Sequence, residues 1–147
     1  MKTSIIIPTY NRSDELDNLL KPLCSSDMTD QIIVVDDQST DGTEEVAKRY
    51  DIEYTKSSAN GQVEAKRTGI ELADGEIIGF LEDDMIVTES FLDPVLGAFQ
   101  DGKKIVQSKV VFQDHGLEPI DADPEPLVEY RWNFNHITKW HYGSTGQ

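Results

Sequence analysis

The sequence predicts an α/β fold, a mostly parallel sheet with helices on both faces. Three observations carry that expectation. Short apolar runs rich in β-branched residues alternate with amphipathic stretches, the pattern of βαβ units. The first, second and fourth runs are almost continuously hydrophobic, as strands buried on both faces are. A polar cluster follows each of those three, at the carboxyl end where open parallel sheets bind ligands.

The strand runs are Ser4 to Ile7, Gln31 to Val35, Ile52 to Tyr54, Glu76 to Leu81 and Ile105 to Phe112. Between the first two, Ser13 precedes Leu16, Leu19, Leu20 and Leu23, an i, i+3, i+4, i+7 stripe that should face the sheet. Pro22 falls inside that stripe and is expected to end or bend the helix. The second helix is capped by Asp41 or Thr40 and turns Val46, Ala47 and Tyr50 inward. Gln62 to Ala73 reads as a third helix, stopped by Asp74-Gly75, and Glu89 to Phe99 as a fourth.

At 147 residues the chain can form one ordinary domain. It carries 28 Asp and Glu against 13 Lys and Arg, a formal charge of −15. Nucleic acid is therefore excluded as a partner, because phosphate binding needs clustered cations. A small anion can still bind where a metal ion and local donors reverse the field. A single cysteine, Cys24, rules out an intramolecular disulfide and points to a reducing compartment. Ile5-Ile6-Ile7 is too short for the apolar core of a signal peptide. No run reaches the roughly 20 apolar residues of a membrane helix. The expected location is cytoplasmic, with membrane association left open for a longer protein.

The chemistry concentrates in three clusters. Pro8-Thr9-Tyr10-Asn11 follows the first strand, Asp36-Asp37-Gln38-Ser39-Thr40-Asp41-Gly42-Thr43 the second, and Glu82-Asp83-Asp84 the fourth. Carboxylates gathered at converging strand ends repel one another unless a cation sits among them. Hard oxygen ligands suit Mg²⁺ or Mn²⁺, which keep waters and take substrate phosphates, so one or two protein carboxylates are enough. Taken alone, each cluster also has a plain reading: an acidic turn, a helix cap, a turn residue. Lys66 and Arg67 on the third helix read equally as surface charges or as the offset to a bound diphosphate.

Together these residues resemble the family 2 glycosyltransferases, which have the GT-A (Rossmann-like) fold. The matching stretches are Ser4-Ile5-Ile6-Ile7-Pro8-Thr9-Tyr10-Asn11-Arg12, Ile33 through Thr43, and Gly75 through Asp84, in the family's order. The resemblance implies that Pro8, Thr9, Tyr10 and Asn11 line the nucleotide, and that Asp36, with Asp37 beside it, recognises the base. It implies that Glu82-Asp83-Asp84 is the DxD element, Asp84 ligating the metal while Asp83 or Glu82 approaches ribose and phosphate. Glu82 stands where Asp is more common, and Ala65-Lys66-Arg67-Thr68-Gly69 stands where the family often has Ala-Arg-Asn-x-Gly.

The expected function is metal-dependent transfer of a glycosyl group from a UDP- or GDP-linked sugar, with inversion, to a glycan, lipid or protein acceptor. Residues 1–112 form the donor-binding core. Residues 113–147, an acidic loop and an aromatic tail, begin an acceptor-binding part that the chain does not complete, so no catalytic base is assigned. The tail from Trp132 to Tyr142 would expose apolar surface and favour a homo-oligomer. Two other functions fit less well. A nucleotidyltransferase forming sugar nucleotides wants a glycine-rich basic loop after the first strand, and Pro8 to Arg12 has no glycine. A non-catalytic nucleotide-sugar-binding module differs from the enzyme only in what the acceptor half supplies. A dinucleotide-dependent dehydrogenase is excluded, because no G-x-G-x-x-G follows the first strand.

Overall fold

Ile5, Ile6 and Ile7 lie at the middle of the strand on which the sheet is built. The computed structural model describes residues 1–25, 29–87 and 90–106. It divides into two units, Met1–Leu92 and Asp93–Gln147. The first unit holds β1 (Thr3–Thr9), α1 (Ser13–Cys24), β2 (Gln31–Asp36), α2 (Thr43–Ala47), β3 (Glu53–Lys56), α3 (Gln62–Leu72) and β4 (Ile77–Phe80). Within the second, α4 (Asp93–Gln100) is described. The aromatic tail and most of the expected fifth strand, residues 107–112, lie outside the described residues, while Ile105 and Val106 are not in a strand. No helix among the described residues is long and apolar enough to cross a membrane.

The strands of the first unit are all parallel and lie in the order β3-β2-β1-β4. The chain therefore steps outward from β1 through β2 to β3, then returns to the far side of β1 for β4. That reversal makes a switch point between β1 and β4. Ligands of open α/β sheets bind in the crevice such a reversal opens beyond the strand ends.

Every residue of β1 is buried, and all of β2 beyond Gln31. Ile6, Ile33 and Val35 share one face, where they pack with Ala65 of α3. The alternate residues Ile5, Ile7 and Val34 are equally buried, so the second face is covered too. There α2 packs on β2, and α1 packs on α2. The stripe Leu16, Leu19, Leu20 and Leu23 is buried as its spacing predicts. Each such leucine contributes about 1.5–3 kcal/mol over leaving it exposed.

Several elements differ in extent from expectation. Pro22 sits in the last turn of α1, and the helix ends two residues later at Cys24. There the Ser25 hydroxyl donates to the Lys21 carbonyl at 2.7 Å and closes the end. The second helix stops at Ala47, leaving Tyr50 in the turn beyond. Its hydroxyl donates to Asp17 Oδ1 at 2.8 Å. Burial and that carboxylate push the phenol up to about 12. The fourth helix begins at Asp93 rather than near Glu89, which puts Pro94 in its first turn, where a missing N–H costs no bond. Among the described residues β4 is an edge strand and not a doubly buried one, with Ile78 39% and Phe80 43% exposed.

Candidate functional site

At the carboxyl end of β1 the chain turns through Asn11, which adopts φ 50°, a left-handed conformation that asparagine tolerates better than most residues. Asn11 Oδ1 accepts from the Thr40 N–H at 2.8 Å, and the Asn11 N–H donates to Ser39 Oγ at 2.8 Å. The loop after β1 is thus fastened to the loop after β2. Asp41 adds a second fastening. Its Oδ2 accepts from the Ser13 N–H at 3.2 Å and its Oδ1 from the Thr43 N–H at 3.0 Å, so one carboxylate serves the starts of α1 and α2. These bonds, led by the Thr43 hydroxyl, hold the Asp41 carboxyl below its usual range. Of the two expected caps, Asp41 reaches the start of α2, while Thr40 gives its N–H to Asn11.

The neighbouring aspartates after β2 part company. Asp36 is fully buried; its Oδ1 accepts from the Ser39 N–H at 2.8 Å and its Oδ2 from the Tyr54 hydroxyl at 2.6 Å. Burial and the Asp36 carboxylate hold the Tyr54 phenol protonated, well above its ordinary range. Asp37 instead lines a cleft. It is held there by the Gly61 N–H, at 2.9 and 2.8 Å from its two oxygens, and by the Ser57 hydroxyl at 3.0 Å. Gly61 has φ 117°, which a side chain would resist, and this conformation begins α3.

The cleft lies at the switch point. Pro8, Thr9, Tyr10 and Arg12 form the β1 side, Asp37 the β2 side, Gln62 and Ala65 the α3 side, and Glu82 and Asp83 the β4 side. Its volume of about 220 Å³ is below that of most drug-sized ligand pockets, so it can enclose only part of a nucleotide-sugar. Tyr10, 57% exposed, offers an aromatic face at the rim.

The acidic triplet is divided between two sets of cations and donors. Glu82 is held by α3, accepting from Gln62 Nε2 at 2.6 Å and Lys66 Nζ at 2.8 Å. Asp83 and Asp84 share Arg12, whose Nη1 lies 3.1 Å from Asp83 Oδ1 and 2.8 Å from Asp84 Oδ2. Asp83 is buried and Asp84 exposed. Burial raises the Asp83 carboxyl above its usual range, against the opposing pull of Thr9 and Arg12 and with the support of Asp84. The Thr9 hydroxyl thus acts on Asp83, yet the two are not placed for a regular hydrogen bond. Thr9 Oγ1 is left buried without a partner. A buried hydroxyl beside a carboxylate in a cleft is a natural donor to a ligand or a bound water.

Of the residues singled out in the sequence, Pro8, Thr9, Tyr10, Asp37, Glu82 and Asp83 therefore meet at one cleft, and Lys66 joins through Glu82. Asn11 and Asp36 fasten the loops that frame it. Arg67 lies on the exposed side of α3, paired with Glu64 and with Glu71 at 2.7 Å. Arg12 and Gln62 were not singled out, though Arg12 is the sole cation of the loop after β1 and sits directly beside Asn11. Among the described residues no three acidic, histidine or cysteine side chains converge as a closed metal cage. The exposed Asp84, the buried Asp83 and the unpaired Thr9 hydroxyl fit an open site instead, in which a hard cation takes one or two carboxylates and completes its shell with water and phosphate.

Residues 4–145 match the profile of glycosyl transferase family 2. The chain is 30% identical over 126 residues to the GalNAc(5)-diNAcBac-PP-undecaprenol beta-1,3-glucosyltransferase of Campylobacter jejuni, covering 78% of this chain and 40% of that protein. It is 31% identical over 138 residues to the validoxylamine A glucosyltransferase of Streptomyces hygroscopicus subsp. jinggangensis, covering 86% of this chain and 32% of that one. Staphylococcus aureus TarS, solved as residues 1–349 with UDP-GlcNAc, superposes with a TM-score of 0.59 at 27% identity, over 70% of this chain and 32% of the other. The mannosyltransferase PcManGT of Pyrobaculum calidifontis, solved with GDP-Man and Mn²⁺, gives 0.67 over 74% of this chain and 35% of its own; at 23% identity that likeness speaks to the fold alone. The chain spans less than half the length of each of these relatives.

Proposed function

The chain belongs to glycosyl transferase family 2, and on that premise we propose that its first unit is the donor site of a glycosyltransferase. The cleft would take a nucleoside-diphosphate sugar for inverting transfer to an acceptor that residues beyond this unit select. The observation that carries the reading is the meeting of the loops after β1, β2 and β4 at the switch point, with the unpaired Thr9 hydroxyl beside Asp83.

In this reading Tyr10 and Pro8 cover the base, and Asp37 accepts from its ring N–H. Asp37 is preferred over Asp36 because Asp37 lines the cleft, whereas Asp36 is fully buried and turned inward onto Tyr54. Asp83, with Thr9, addresses the ribose or the first phosphate. Asp84 is the outermost carboxylate and the one placed to hold Mg²⁺ or Mn²⁺. When bound, such a cation neutralises charge on the departing diphosphate. Lys66 is held near the same place by Glu82 and can lean toward a phosphate at little cost, because a half-exposed ion pair is worth at most about 1 kcal/mol. Low exposure at Thr9 and Asp83 keeps water from their polar atoms and strengthens their bonds to a ligand. A UDP-linked donor is the first to test, since TarS is solved with UDP-GlcNAc.

Calorimetric titration of UDP and of GDP, with and without Mn²⁺, into the chain and into Asp84→Ala tests this. Binding that needs both the cation and Asp84 is expected. Absence of binding to either nucleotide in the presence of Mn²⁺ would discard the donor-site reading.

A further inference from the structure

We infer that Arg12 is the resident counter-cation of the Asp83–Asp84 pair and competes with a divalent cation for it. The inference rests on the reading of the triplet as the place where a cation is held. The geometry is a single guanidinium nitrogen between two carboxylates, Nη1 lying 3.1 Å from Asp83 Oδ1 and 2.8 Å from Asp84 Oδ2. Two adjacent carboxylates repel, and one of these is almost wholly buried, so the pair needs positive charge beside it. The remaining member of the triplet draws its charge elsewhere, from Lys66 at 2.8 Å.

A hard cation would need the same oxygens. Mg²⁺ holds its ligands at about 2.0–2.1 Å, which leaves no room for a nitrogen between them, and two cations on one pair repel. Arg12 can leave. Its side chain is 47% exposed and follows a loop residue, so withdrawal opens no cavity and breaks no backbone bond. Exchange of a tethered cation for a free one then sets the affinity of the site. If Arg12 closes the pair nine-tenths of the time, the apparent Kd for the cation is raised about tenfold over the open pair. The site would bind a cation poorly by itself. A ligand that engages the withdrawn guanidinium, as a diphosphate can in bidentate fashion, would raise its affinity.

Mn²⁺ binding to the whole chain, read from the electron paramagnetic resonance of the free ion without nucleotide, tests this. Arg12→Gln is expected to bind Mn²⁺ about tenfold more tightly than the wild type. Arg12→Lys is expected to stay near wild type, and Arg49→Gln, which alters net charge equally at a distant pair with Asp17, to leave the Kd unchanged. Mn²⁺ should also raise the melting temperature of Arg12→Gln more than that of the wild type. Equal or weaker binding by Arg12→Gln, or an equal gain in Arg49→Gln, overturns the inference and leaves the donor site standing. No Mn²⁺ binding by either protein overturns the inference, and the donor-site reading is then decided by the nucleotide titrations. If Arg12→Gln does not fold, Mg²⁺ titration of the wild type decides. The arginine Nε–H resonance that Arg12→Lys lacks should move as the site fills, and its standing still while the Asp83 and Asp84 amides move overturns the inference.

Discussion

The Tyr54 hydroxyl donates to Asp36 Oδ2 at 2.6 Å, joining β3 to the buried end of β2. Asp36 is fully buried, so its two oxygens depend on that bond and on the Ser39 N–H for their hydrogen bonds. Tyr54→Phe keeps the ring and removes the donor. It is expected to lower unfolding free energy by about 1–3 kcal/mol, the cost of a buried acceptor left unpaired. Urea denaturation measures this. An unchanged midpoint would mean that water replaces the phenol.

Asn11 gives a separable pair of effects. Asn11→Gly keeps the left-handed φ of 50° and loses the bond from Thr40. Asn11→Ala loses both, adding about 1 kcal/mol of backbone strain. Thermal unfolding should therefore rank wild type above Asn11→Gly and Asn11→Ala last. Equal melting temperatures for the two variants would show that the loop relaxes out of the left-handed region.

Gly69 and Gly75 are close approaches of a different kind. At Gly69 a Cβ would press on the Ile6 side chain, with Ile6 Cγ1 at 3.2 Å and Ile6 Cβ at 3.3 Å. In a helix interior Gly→Ala ordinarily stabilises by about 0.8–1 kcal/mol. Here overpacking against a buried β-branched residue, about 1–3 kcal/mol, outweighs that gain. Gly69→Ala should be net destabilising in chemical denaturation. Gly75→Ala should be worse, because its Cβ would meet backbone, Ser4 N at 2.6 Å and Thr3 C at 2.8 Å. A stabilised Gly69→Ala would refute the packing of α3 on β1 described above.

Asp83 and Asp41 predict opposite pH responses. Asp83 has a folded pKa raised above 3.8 by burial, so the folded state holds its proton more firmly than the unfolded chain. Its ionisation takes away stability as pH rises from 3.8 through the folded value, and the loss is complete above that value. Asp83→Asn should therefore melt higher than wild type at pH 7, converge with it below pH 3.8, and bind nucleotide more weakly. Asp41 is lowered by its bonds to Thr43 and Ser13. Its contribution is present above 3.8 and disappears as pH falls through the lower folded value. Asp41→Asn should lose stability at pH 7 and progressively less as pH falls below 3.8. Melting curves of the two variants across pH 2–8 measure both signs, and parallel wild-type and Asp83→Asn profiles would sink the first.

Local pattern alone determined much of this protein. The runs at Ser4 to Ile7 and Gln31 to Val35 became β1 and β2, and the leucine stripe from Leu16 to Leu23 became the buried face of α1, because burial alternates with the period of each element. The polar clusters that meet at the cleft were legible too, since strand carboxyl ends lie on one edge of a parallel sheet. What periodicity could not convey was which neighbour does what. Asp36 and Asp37 are adjacent and chemically identical, yet one ends a strand inward onto Tyr54 while the other, past the strand end, reaches Gly61 and the cleft. Arg12 meets Asp83 across 71 residues of chain and Lys66 meets Glu82 across 16. Among the described residues β4 lies at the sheet edge with Ile78 and Phe80 exposed, which its apolar sequence does not report. Composition and period record how much of an element is buried. The partner of each charge and the edge of the sheet are decided only when segments distant in sequence are brought within a few ångströms by tertiary packing.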